Sequence, residues 1–361
     1  MTNKFLTLIL SISVLTFTGC SSDDDGPSGP IEIIIEGATV EPEVGGPNQQ
    51  NQVYVDLSTN TATSVQRDSW DLGFYSGSEF RVVLNGSISM ATAQLEATDM
   101  NAVNSSTPEV QELQPGVRVG SFQAESATYI DAPDGSITGT AIEEVSSVDA
   151  NNHVYLLNLG FEVGTTAPTT GSTTINGDAR GWKKIRVLRN GNNYVLQYAD
   201  LDATTFEEVT ISKDTNYNFT FFSFNTEAEV NVEPEKSKWD LNFTYFTSTI
   251  PGFGAYGYAD FVANNTKANA QAYMVDTTIE TSLTYENFTI ANVVDANFSN
   301  DQRAIGSSWR NTAPGAPVGI FENVFYIVND TAGNLYKLKF LAMTNDVGER
   351  GYPQFVYSLL Q

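Results

Sequence analysis

Two seven-residue stretches constrain this chain more than any other feature: DSWDLGF at 68–74 and SKWDLNF at 237–243. Each follows a short alternating segment, VYVDLST in the first case and FFSFNTE in the second. Alternation at period two puts one face of a strand into a core and the other toward water. A chain that carries the unit strand–Trp-Asp-Leu–strand twice is therefore read as two related β modules. Trp70 and Trp239 would supply large apolar area to corresponding core strands. Asp71 and Asp240 follow them and are expected to accept backbone hydrogen bonds at strand ends or turns. A pair of catalytic carboxylates is the competing reading, and the turn role is preferred.

The rest of the body agrees. Alternation recurs in QVYVDLS, EFRVVLNG, HVYLLNLGFEV, YNFTFFSFN, FENVFYIVND and NLYKLKFLAM, with Thr, Val, Tyr and Phe abundant, the residues that suit a pleated, half-buried surface. Asn190-Gly191 predicts a tight hairpin turn, and NDTAGNLY at 329–336 a longer one. SMATAQLEA at 89–97 and NTKANAQAYM at 265–274 are each expected to form a few helical turns. The first module is placed at 50–210 and the second at 211–361. The expected fold is thus all-β, with two antiparallel modules and few short helices.

The N-terminus reads separately. MTNKFLTLILSISVLTFTGC holds one lysine, an uncharged apolar run and then Cys20, the only cysteine of 361 residues. It is an export signal, too short for a stable span, and its end resembles a bacterial lipobox. Residues 1–19 would be removed, Cys20 lipidated, and 20–49 would serve as a flexible, acidic tether. The acidic cluster SSDDDG just after Cys20 resembles the surface-export signal of Bacteroidetes-type lipoproteins. Together these place the chain on the outer membrane by a lipid anchor, facing the medium. With Cys20 acylated no disulfide is possible. The net charge of −25, with scattered basic residues, excludes nucleic acid as a partner.

Trp-Asp-Leu followed by LNGSIS at 84–89, IGSSWRNT at 305–312 and above all the C-terminal stretch resemble the HmuY-like family of Bacteroidetes surface lipoproteins. In that stretch the specific portions are NLYKLKF at 334–340 and ERGYP at 349–353. The resemblance implies an all-β haemophore-type protein, non-enzymatic, that binds haem and passes it to a TonB-dependent outer-membrane receptor.

Haem iron takes imidazole or thioether donors, and this chain has a single histidine, His153. Bis-histidine ligation within one molecule is therefore excluded, leaving His153 or a methionine. Of Met90, Met100, Met274 and Met343, Met274 stands out because it follows the aromatic, glycine-rich segment PGFGAYGYADFV at 251–262. Phe253, Tyr256, Tyr258 and Phe261 of that segment are the expected walls of a ligand pocket. One histidine also excludes an H-E-x-x-H zinc motif, and no G-x-S-x-G elbow, phosphate loop or dinucleotide fingerprint occurs. Asp131, Asp134 and Glu143, around DAPDGSITG, do not have EF-hand spacing. Catalysis is not expected. The alternative to haem capture is a structural, interaction or glycan-binding accessory lipoprotein that has lost haem ligation.

Overall fold

The computed structural model describes residues 36–361. The signal segment 1–19, Cys20 and the first part of the tether lie outside the described residues. All named strand pairings are antiparallel. They form two five-stranded sheets, two four-stranded sheets and two small ribbons. Among the described residues, helical structure consists of one short α-helix, Pro108–Leu113, and brief 3-10 turns. The all-β class expected from period-two patterning is what forms.

The two larger sheets have the same plan. One orders Glu207–Ile211, Asn193–Asp200, Trp182–Asn190, Tyr155–Asn158 and Ala91–Gln94. The other orders Gly37–Val40, Arg350–Leu359, Leu335–Thr344, Val324–Asn329 and Gln271–Asp276. Each therefore runs from an outer strand through a long hairpin to a shorter strand and an edge strand. The origin of the outer strand differs. In the first sheet it follows the hairpin in sequence, whereas in the second it arrives from the far N-terminal end.

The four-stranded sheets show why. Leu72–Tyr75, which opens directly after Trp70-Asp71, pairs with Phe219–Ser223. Leu241–Ile250, directly after Trp239-Asp240, pairs with Asn51–Asp56. Each Trp-Asp-Leu strand thus takes as neighbour the strand that precedes the other copy. The segments 37–66 and 207–230 are exchanged between the halves. The cores obey the same exchange: Leu72, Phe74, Leu157 and Ile185 pack with Phe222 and Phe224, while Val53, Val55 and Leu57 pack with Leu241, Phe243 and Phe355. Strand pairing thus crosses the 210/211 boundary in both directions.

Four local expectations are corrected. The segment 89–97 is not helical: a 3-10 turn at Gly86–Ile88 leads into the strand Ala91–Gln94. The segment 265–274 behaves in the same way, with a 3-10 turn at Thr266–Ala268 and the strand Gln271–Asp276. In both, a left-handed residue, Ser89 (φ 64°) or Asn269 (φ 70°), ends the turn, and pairing to a buried neighbour strand overrides the helix propensity of Ala. The tether ends earlier than residue 49, because Gly37–Val40 pairs with Arg350–Leu359 and Val44 is buried. In the first hairpin Asn190 pairs with Asn193, so the turn residues are Gly191 and Asn192, and Gly191 rather than Asn190 takes the left-handed conformation (φ 61°).

Candidate functional site

The two Trp-Asp-Leu copies build matching frames. Asp71 N–H donates to Phe222 O and Asp240 N–H to Val55 O, both at 2.8 Å. Each carboxylate then reaches two residues further along the exchanged strand: Phe224 N–H donates to Asp71 (2.6 Å) and Leu57 N–H to Asp240 (2.8 Å). The aspartates hold strand ends, as expected. Asn85 and Asn265 complete the frames. The Asn85 amide donates to Arg67 O and Trp70 O, and the Asn265 amide donates to Lys236 O and Trp239 O. The second oxygens differ. Asp71 Oδ1 receives the Arg180 guanidinium at 2.6 Å, with both side chains buried. Among the described residues Asp240 Oδ1 receives only Thr331 N–H, at 2.8 Å. Burial, with Asp330 and Asp56 adding repulsion, pushes the Asp240 carboxyl up to about 7.

The aromatic segment forms one arm of the hairpin Leu241–Ile250/Gly254–Asn264, with Gly252 and Gly254 both left-handed at φ 79° around its tip. A Cβ at Gly254 would lie 2.0 Å from Gln123 O, so only glycine lets the hairpin meet the 120–126 loop. Gly120 N–H donates to Ala255 O (2.9 Å), and Ala255 N–H to Ser126 Oγ (2.8 Å). That loop brings in Phe122, itself held at φ 56°. The result is an open aromatic platform. Phe122 is 63% exposed, Phe253 55% and Tyr256 36%. The Phe122 and Tyr256 rings lie 6.1 Å apart, and Tyr256 meets Tyr258 edge-on at 5.2 Å. Burial raises the Tyr258 phenol above its ordinary value, and neighbouring Tyr256 adds to the rise. Phe261 does not belong to this surface. It is buried and stacked on Phe246 at 4.1 Å, anchoring the platform from within.

The other candidate residues are placed elsewhere. His153 precedes the Tyr155–Asn158 strand, and its Nδ1 lies 2.8 Å from Leu95 O. The space beside it is only about 20 Å³. Met274 is exposed (43%) on the edge strand Gln271–Asp276, opposite Tyr326. His153, Met274 and the platform therefore sit on three different sheets. Met90, Met100 and Met343 are buried. Phe122 was not legible as a site residue, because its place beside Tyr256 depends on a loop more than a hundred residues away in sequence.

An antiparallel β framework, duplicated and joined by exchanged strands, with an aromatic platform on one hairpin, defines the class of protein. The chain belongs to the HmuY family: the model of the HmuY protein matches residues 48–212 and again 215–357. A comparison with curated proteins gives no match. Among solved structures the chain is similar to apo PinO from Porphyromonas gingivitis, at 16% identity over 48% of this chain and 94% of that one, with a TM-score of 0.22. It is also similar to the apo HmuY analog TFO of Tannerella forsythia, at 9% identity over 91% and 98%, with a TM-score of 0.25. A candidate lipoprotein of Bacteroides fragilis matches at 10% identity over 90% and 94%, with a TM-score of 0.22. Among the described residues no helix is long and apolar enough to cross a membrane.

Proposed function

We propose that this protein is a non-catalytic binding lipoprotein, anchored through Cys20 to the outer membrane and facing the medium. In this reading it captures haem outside the cell and passes it to a TonB-dependent receptor. The observation that carries the reading is the exposed aromatic cluster of Phe122 and Tyr256, with Phe253 exposed at the tip of the same hairpin, which offers apolar surface to a hydrophobic macrocycle. Its rigid attachment to the 120–126 loop means little ordering is required when a ligand stacks on it. Membership of the HmuY family supports the same reading.

The donors suit stacking better than clamping. His153 is tied to Leu95 O in a tight site, and Met274 belongs to another sheet, so the two do not form an axial pair. The phenols of Tyr256 and Tyr258 are the donors that lie on the platform itself.

Titration of the mature protein with oxidised and reduced haem, followed by the Soret band, tests the proposal. A saturable shift that the double substitution Phe253→Ala, Tyr256→Ala removes is expected. No saturable shift in either oxidation state would overturn it. A shift seen only on reduction and removed by Met274→Ala would move the site to the edge strand.

A further inference from the structure

The two Trp-Asp-Leu frames do not close on each other. Between them lies a cavity of about 190 Å³, lined by residues of both copies and of both exchanged segments. Trp70, Trp239, Tyr54, Phe219 and Phe221 provide aromatic wall. Trp239 meets Tyr54 edge-on at 5.0 Å, and Trp70 meets Phe221 edge-on at 4.7 Å, the same contact made once in each copy. The loop 131–140 forms another wall. Lys267 holds it by donating to Gly135 O at 3.1 Å, and Gln302 N–H donates to Asp134 O at 3.0 Å.

The ionisable groups of the lining are already engaged. Glu233 accepts from Asn218 N–H and Phe219 N–H, and Asp131 from Leu84 N–H and Ala141 N–H. Burial raises these carboxyls to about 7 and about 6 respectively, and lowers the Lys267 ammonium. A site of this kind places no premium on a charged ligand.

Two neutral polar groups of the lining are not engaged. Among the described residues Trp239 Nε1 and Asn242 Oδ1, the latter on the sheet face shared with Tyr54, have no hydrogen-bond partner, although the two residues are only 8% and 9% exposed. Trp70, the counterpart of Trp239, does have one, donating to Gln52 Oε1 at 2.8 Å. Buried polar groups left unpaired are costly, and natural cores carry few of them. Two such atoms lining one cavity, one a donor and one an acceptor, call for a ligand that both donates and accepts hydrogen bonds. The aromatic walls call for an apolar face on the same molecule. Drug-sized ligands occupy about 300–1,000 Å³, and a water takes about 30 Å³ of liquid, so the space corresponds to a single small ring and excludes a macrocycle.

We propose that this cavity binds one neutral, sugar-sized polyol, a hexose or N-acetylhexosamine. Its hydroxyls pair with Trp239 Nε1 and Asn242 Oδ1, and its C–H face packs on the tryptophan and phenylalanine walls. The site is distinct from the aromatic platform and does not rest on haem capture.

Isothermal titration with a panel of free neutral hexoses and N-acetylhexosamines, up to tens of millimolar, tests this. Saturable binding of at least one sugar, one per chain, is expected, with a sugar-dependent rise in the melting temperature of the unmodified protein. Trp239→Phe keeps the ring but removes the indole donor, and should weaken binding about tenfold. Phe253→Ala with Tyr256→Ala should leave it unchanged. Absence of saturable binding and of any melting shift across the panel overturns the proposal. It is equally overturned if the platform substitutions abolish sugar binding while Trp239→Phe does not.

Discussion

Asp71 and Asp240 occupy corresponding places in the two copies, accept the same backbone hydrogen bond from an exchanged strand, and differ in one partner. Arg180 neutralises Asp71, whereas Asp240 faces only backbone amides and two more aspartates. One frame thus contains a buried ion pair and the other a carboxyl that burial drives toward its neutral form. The comparison separates what the repeated motif requires from what each copy added. The strand-end hydrogen bonds are required, and the charge balance is not.

The largest expected effect comes from breaking the pair. Asp71→Asn leaves the buried Arg180 guanidinium with only the half-exposed Glu162 carboxylate, at 3.6 Å, and should cost about 3 kcal/mol in urea unfolding. Asp240→Asn removes no ion pair among the described residues but leaves one of two backbone N–H groups, Leu57 or Thr331, without its acceptor, and should cost about 1–2 kcal/mol at pH 8. Equal losses would mean that Arg180 has no special role.

The asparagines provide the control. Asn85→Ala and Asn265→Ala each remove two buried amide donations, so both should cost about 2–3 kcal/mol, and by similar amounts. A large difference would show that the frames are not equivalent.

A third test uses pH. The raised carboxyls of Asp240, Glu233 and Asp131 keep protons in the folded state at pH values where the unfolded chain has lost them. The folded state then binds more protons, so its stability falls as pH rises. This contribution is complete below the ordinary carboxylate range near pH 4 and is lost as pH passes through about 6–7. Urea midpoints between pH 5 and 8 should decline, and Asp240→Asn should flatten the decline by about 1–3 kcal/mol. A slope unchanged in that variant would assign the effect to Glu233 and Asp131.

The smallest difference concerns the indoles. Trp70→Phe strands Gln52 Oε1, whereas Trp239→Phe strands nothing. The first should therefore be the more destabilising by about 1 kcal/mol, as measured by paired unfolding curves.

Much of this organisation was legible in the sequence. Period-two alternation gave the β class, the repeated Trp-Asp-Leu stretches gave the duplication, and Asn190-Gly191 located a hairpin, though the left-handed residue is one position later. Phe253 and Tyr256 were legible as exposed aromatics because they sit among glycines that keep a hairpin tip open. Phe261 was misplaced because it lies past a β-bulge, three residues beyond Tyr258, where its ring is buried against Phe246. The alanine-rich segments after LNGS and NNTK were misread, since local helix propensity gave no warning that both would be recruited as edge strands.

By itself the sequence determined that this chain makes antiparallel strands in two related sets, because alternation and turn chemistry act over a few residues. Only the tertiary structure decided which strand pairs with which. Asn51–Asp56 and Phe219–Ser223 carry similar patterns, so either could satisfy either Trp-Asp-Leu strand locally. The choice between them rests on register and burial between partners 144 to 190 residues apart. The aromatic platform and the polar cavity between the frames are products of that choice, because each is assembled from segments that meet only after the strands have been exchanged.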